Sequence, residues 1–194
     1  MGLGNLEYYL IIVNAVGFVL FALSTRLAPG RAKRLLGGFL MVLAVLGASA
    51  GILLAMLLFD RKAVKENMMS RVFVICALAI QIVAYLMING QPKRTLTFAF
   101  FAYLAAHRPL LIYLAVINVI TLIAYGIDKR NAVKDRRRIP IVTLLALAFA
   151  GGSVGALAGM YLFRHKTQKD YFSVGVPLIL LAQVVVLFYV MNYL

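Results

Sequence analysis

The sequence predicts an all-α membrane protein made of two tandem repeats of three apolar segments, and three observations carry that expectation. Hydrophobic residues make up 64% of the chain and its mean hydropathy is +0.96, against an apolar share of about 45 to 50% in soluble domains. The apolar residues fall into six runs, at residues 6–24, 35–59, 72–89, 109–127, 139–163 and 172–194. Each run supplies the roughly 20 helical residues that cross about 30 Å of hydrocarbon. Finally, residues 9–65 fall on residues 113–169 without a gap. The matches include polar and glycine positions: Asn14 on Asn118, Arg26 on Arg130, Arg34 on Arg138, and Gly47, Ser49 and Gly51 on Gly151, Ser153 and Gly155. Greasy composition alone would not pair such residues.

The division that follows is a first membrane repeat at 1–89, a linker at 90–108 and a second repeat at 109–194. The first run follows Glu7 instead of a basic stretch, and no A-x-A site comes after it. It is therefore expected to remain as a membrane helix, not a cleaved signal peptide.

The second run of each repeat admits two readings. Its middle reads LGASAG at 46–51 and AGGSVG at 150–155. Two limbs of about a dozen residues would each rise about 18 Å and meet at a glycine turn, giving a re-entrant helical hairpin with Ser49 and Ser153 capping the second limbs. The alternative is six straight transmembrane helices, with these runs crossing at a tilt.

Basic residues favour the hairpin. With six straight spans the loops alternate sides, and the 20 Lys and Arg divide almost evenly. If both middle runs return, every basic residue except Lys93, Arg94 and Arg108 shares one side. That asymmetry is what the positive-inside rule expects of cytoplasmic loops. The reading also makes the repeats parallel, since each crosses an even number of times. The linker segment FAFFAYLAA, residues 98–106, is too short to cross, and its aromatics suit a membrane interface. The third run of each repeat closes its unit.

Composition excludes several chemistries. The single Cys76 lies in an apolar run, so no intramolecular disulfide or structural zinc site is expected, and no metal or cofactor is implied. H-E-x-x-H, G-x-S-x-G and P-loop motifs are absent from the sequence. Neither His107 nor His165 has a carboxylate at helical spacing. Asp128, beside Lys129 and Arg130, reads as an ion-pairing residue at a helix end. A net charge of +14 would permit nucleic-acid contacts, but the loops are too short to present a reader.

Intramembrane polar and small residues form a second group. Asn14 and Asn118 sit at matching depths and read as interhelical hydrogen-bonding groups across a pseudo-twofold, or else as substrate contacts. Gly151, Gly155 and Gly159 form a small-residue ridge, echoed by Gly47, Gly51 and Ala55. Such ridges let backbones approach, here between hairpin limbs or between repeats; the alternative is a pore lining.

The densest chemistry is FRHKTQK at 163–169. Arg164, His165, Lys166, Thr167 and Lys169 offer many donors and almost no acceptors, a set suited to phosphate or carboxylate oxygens. Arg138 would join them if the hairpin returns, and the helix start there adds free amides. In the first repeat the matching residues are Asp60, Arg61, Lys62, Ala63 and Lys65, which points to a single site. The competing reading is a loop whose charges only hold topology.

The run DKRNAVKDRRRIP, then GGSVGALAGM, then FRHKTQKDYF resembles the small bacterial membrane family catalogued as domain of unknown function twelve-ninety-four. Its members carry a D-K pair, R-I-P, G-G, G-M and F-R-H-K-T in this order. The resemblance covers residues 110–194, and the first half resembles a decayed second copy. The family usually places Glu after R-I-P, where this chain has Ile141. The resemblance implies a bacterial cytoplasmic membrane location and no established activity.

Two functions are therefore expected to compete. One is a small transporter or channel for an anionic solute or lipid, since interrupted helices near the midplane are a transporter arrangement. The other is a non-transporting module that binds anionic lipid or a partner protein. Anionic membrane lipid is the expected partner, with self-association open and nucleic acid not expected.

Overall fold

The computed structural model describes residues 4–27, 31–91 and 96–194; the basic pair Lys93 and Arg94 lies outside them. The described residues are all-helical, without a strand. The order is α1 (Asn5–Leu27), α2 (Arg31–Leu43), α3 (Ser49–Phe59), α4 (Met68–Asn89), α5 (Phe100–Ala106), α6 (Arg108–Val133), α7 (Ile141–Leu147), α8 (Ser153–Leu162), α9 (Asp170–Ser173) and α10 (Gly175–Tyr193). Six segments among the described residues are long and apolar enough to cross a membrane: Asn5–Arg26, Leu36–Phe59, Met68–Asn89, Arg108–Val133, Ile141–Leu162 and Asp170–Tyr193. The chain forms two compact units, Met1–Ile82 and Val83–Leu194.

In the first unit, α1 opens with Glu7, whose carboxylate accepts the Gly4 N–H at 2.9 Å, and ends with Arg26. Acid at the start and base at the end both complement the helix dipole. Between α2 and α3 the helix breaks at residues 44–48, where Gly47 has φ +120°, a conformation that side chains oppose. Breaking a helix inside an apolar segment frees amides and carbonyls that lipid cannot satisfy, and three side chains take them up. Tyr9 donates to the Leu46 carbonyl at 2.6 Å. Asn14 donates to the Gly47 carbonyl at 2.8 Å and accepts from the Gly51 N–H at 2.7 Å. Gln81, on α4, donates to the carbonyls of Ala44 and Val45 and accepts from the Ser49 hydroxyl.

Contacts between α1 and the α3 side advance together along both segments. Tyr9 meets Leu46, Asn14 meets Gly51, and both Phe18 and Arg26 reach the Phe59 ring. Phe21, Leu40, Ala44, Ala48, Ile52, Ala55, Met56 and Val74 form the buried core among them.

The second unit repeats this bonding residue for residue. Gly151 carries φ +108° at the break between α7 and α8. Tyr113 donates to Ala150 O at 2.6 Å, Asn118 donates to Gly151 O at 3.0 Å and accepts from Gly155 N at 2.6 Å, and Gln183 on α10 donates to Ala148 O and Phe149 O while accepting from Ser153. Further along, a Cβ at Gly159 would lie 2.8 Å from Tyr125 Cβ, and one at Gly126 would lie 3.1 Å from the Phe163 ring.

Three expectations need correction. Ser49 and Ser153 make no capping bond to an amide; their hydroxyls go to Gln81 and Gln183, because asparagine from the first helix already holds the amide two residues on. Asn14 and Asn118 bond inside their own units instead of across a pseudo-twofold, since the broken helix beside each offers both a carbonyl and an amide. The glycine ridge packs against the first helix of its own unit: a Cβ at Gly51 or Gly155 would overlap the carbonyl of Asn14 or Asn118. Within the linker, α5 has no buried residue and Phe101 is 90% exposed. The chain just before α5 is tied down by Asn192, whose side chain pairs with both backbone groups of Thr97 at 2.8 and 3.1 Å.

Candidate functional site

One carboxylate gathers three separated segments of the second unit. Asp128, in the last turns of α6, is fully buried. Its Oδ1 accepts the Ile139 N–H at 2.8 Å, and its Oδ2 accepts His165 Nε2 at 2.8 Å and Lys166 Nζ at 2.7 Å. Ile139 enters the broken α7–α8 segment and His165 follows its exit, so both ends of that segment reach the same residue. A buried carboxylate is tolerable only when paired and hydrogen-bonded, and here three donors meet that requirement.

Local backbone makes the presentation of His165 possible. After α8 the Phe163 N–H returns to Gly159 O and the His165 N–H to Met160 O at 3.0 Å. The flanking residues Arg164 and Lys166 have φ of 44° and 64°, values that non-glycine residues adopt at a cost on the order of 1 kcal/mol. The reversed turn brings two consecutive side chains, His165 and Lys166, back onto α6. Lys166 Nζ also sits 4.8 Å over the Phe172 ring, a cation–π contact. Burial pulls the Lys166 ammonium below its ordinary value; Asp128 opposes the drop, and the nearby Arg138 charge adds to it.

Tyr125 lies one turn before Asp128 on α6 and packs edge-on to Phe172 at 5.8 Å. It is fully buried, and its hydroxyl has no hydrogen-bond partner among the described residues. An unmet buried hydroxyl costs about 1 to 3 kcal/mol, so packing alone would favour phenylalanine here.

The structure divides the expected anion-binding residues into two sets. His165 and Lys166 are engaged by Asp128, an acceptor that the 163–169 run does not itself contain. The acceptor comes from α6, too far along the chain for any helical spacing to reveal. Arg138 is brought close enough for its charge to act on Lys166, and its own side chain is exposed. Arg164, Thr167 and Lys169 are also exposed, and none is hydrogen-bonded or ion-paired through its side chain to Asp128. Asn118, Ser153, Gly151, Gly155 and Gly159 belong to the α7–α8 break and its packing, as Asn14, Ser49, Gly47 and Gly51 do in the first unit. No group of three or more His, Cys, Asp or Glu among the described residues could hold a metal ion. The second histidine, His107, donates from Nδ1 to Tyr103 O at 2.8 Å.

The matching positions of the first unit carry none of this chemistry. Phe21 stands where Tyr125 does, Ser24 for Asp128, Arg61 for His165 and Lys62 for Lys166. Ser24 bonds back to its own helix at Phe21 O, while Arg61 and Lys62 are exposed. The acid of that loop, Asp60, pairs instead with Asn67 at 2.7 Å and Arg71 at 3.8 Å. Two units with the same hydrogen-bonded break thus differ at this cluster, and the fold does not require the cluster in order to close.

Comparison with known proteins centres on the same region. The family described as Protein of unknown function (DUF1294) matches residues 118–172, a stretch running from Asn118 to Phe172 that contains Tyr125, Asp128, Ile139, His165 and Lys166. The chain is 39% identical over 75 residues to Uncharacterized protein YsdA of Bacillus subtilis (strain 168), covering 84% of that protein and 39% of this chain. No solved structure matches the chain.

Proposed function

We propose that this chain, which belongs to the family described as Protein of unknown function (DUF1294), is a multi-pass protein of the bacterial cytoplasmic membrane. In this reading it binds the phosphate or carboxylate group of an anionic lipid or solute at the basic rim of its second unit. The observation that carries the reading is the contrast between the units. The hydrogen-bonded break is common to both, whereas the Asp128 cluster occurs in one. A feature that an equivalent scaffold closes without is free to serve a ligand.

The membrane arrangement assumed is a duplicated unit whose middle segment re-enters from the cytoplasmic face. Duplication is supported by the paired bonds of Tyr9 and Tyr113, Asn14 and Asn118, and Gln81 and Gln183. Re-entry is supported by Asp128 holding residues at both ends of the α7–α8 segment, and by first-helix contacts that advance in step with α3 and α8. The cytoplasmic placement follows from the basic loops, and puts Arg138, Arg164 and Lys169 where anionic lipid lies.

Transport of the anion is the second reading, favoured by the interrupted helices in both units. Binding without transport is preferred because Tyr, Asn and Gln side chains take up the carbonyls and amides at each break, the groups a transporter would offer to its ion. Reconstituted protein separates the two. Arg138→Glu should weaken binding to phosphatidylglycerol vesicles far more than Arg61→Glu, although both change net charge equally. Equal losses across a salt series would reduce the rim to a topological anchor. Sulfate or phosphate flux above that of empty liposomes would establish transport.

A further inference from the structure

The geometry points to a hydrolytic centre at this rim, with His165 as general base and a phosphate ester as substrate; the inference rests on the anion-binding reading. Asp128 is closed to solvent, whereas His165 keeps 13% of its side chain accessible. A buried acid behind a partly exposed imidazole is the arrangement that orients a general base and fixes its tautomer. Because Nε2 donates its hydrogen to Asp128, the neutral ring has its lone pair on Nδ1. No described residue hydrogen-bonds to Nδ1, which leaves it able to take a proton.

Three further observations belong to the same centre. The Tyr125 hydroxyl, buried and without a partner among the described residues, offers a donor on the residue one turn before Asp128, where the first unit has Phe21. Positive φ on both neighbours of His165 holds the ring against α6, and such strain clusters at functional sites. Arg138, exposed and beside Lys166, together with exposed Arg164 next to His165 in the chain, provides guanidinium groups suited to phosphoryl oxygens. Lys166 is committed to Asp128 and acts as a positioning residue, as does Asp128 itself.

The step balances without a redox partner. His165 Nδ1 accepts a proton from water as the water oxygen bonds to phosphorus. The phosphorus–oxygen bond to the alcohol breaks on the opposite side, in line with the attack; the departing oxygen takes a proton from solvent water, and the imidazolium releases its own proton to solvent. Water is consumed, and an alcohol and a phosphate are released.

The test uses the full chain in liposomes with two substrate arms, phosphatidylglycerol as the lipid ester and p-nitrophenyl phosphate as the soluble one. Product release is expected in one arm. His165→Gln, which keeps a donor for Asp128 but has no base, should retain vesicle binding within about twofold and lower the rate by about 100-fold or more, with loss of the acidic limb of the pH–rate profile. Tyr125→Phe should lower the rate while leaving the melting temperature unchanged or raised. The inference is overturned if the parent protein releases product in neither arm while still binding phosphatidylglycerol vesicles, or if His165→Gln keeps the parent rate. Loss of binding by the parent itself would instead remove the anion-binding reading, and this inference with it.

Discussion

His165 Nε2 lies 2.8 Å from Asp128 Oδ2, across 37 positions of chain. The pair joins the end of α6 to the turn after α8, and Ile139 brings the entry of α7 to the same carboxylate. Asp128 is therefore both the electrostatic centre of the rim and the clamp on the mouth of the broken segment.

Removing that clamp should be costly. Asp128→Ala leaves the Lys166 ammonium, 14% exposed, without its counter-charge, and breaking a buried pair from one side costs about 3 to 5 kcal/mol. We expect a large fall in melting temperature in detergent for Asp128→Ala. The double variant Asp128→Ala, Lys166→Met should recover much of it; no recovery would mean that the Ile139 amide, not the charge pair, carries the clamp.

Glycine substitutions should separate by site. Gly155→Ala places a methyl group on the Asn118 carbonyl and should destabilise by about 1 to 3 kcal/mol through overpacking. Gly38→Ala meets no atom within 4 Å, lies inside α2, and should be neutral or stabilising by about 0.5 to 1 kcal/mol. Thermal melts of the two variants against the parent decide the matter.

The polar clasp at each break should matter more than its exposure suggests. Asn118→Leu leaves the Gly155 amide and Gly151 carbonyl without their side-chain partner, for a loss of about 1 to 2 kcal/mol. Faster amide exchange confined to residues 151–155 is the expected signature, and Asn14→Leu should repeat it at residues 47–51. Unchanged exchange at both places would show that the breaks hold without asparagine.

Sidedness can be read directly. In a Cys76→Ser background, cysteines at Lys62, Lys134 and Lys169, all exposed, should react with an impermeant thiol reagent from the cytoplasmic side, and one at Thr97 from the opposite side. Labelling of positions 134 and 169 from opposite faces would make the α7–α8 segment a straight span.

Much of the architecture was legible in the chain because it depends on composition and pattern. The hydropathy marked six segments, since lipid admits few other sequences at that length. The matched glycines at 47 and 151 marked the breaks, since a positive φ excludes most other residues. The partners that satisfy those breaks were not legible. Tyr113 and Asn118 act from one run and Gln183 from another, both on the break in a third, and no local periodicity connects them. The family signature contains Asp128, Ile139, His165 and Lys166 in order without showing that they meet. Sequence determined which residues carry charge and where helices must stop, because these are properties of side chain and backbone taken one at a time. Only the tertiary structure decided which partners the ion-pairing acid at the end of α6 would take, a histidine and a lysine from beyond α8, because a buried carboxylate takes whichever donors the returning chain brings within about 3 Å.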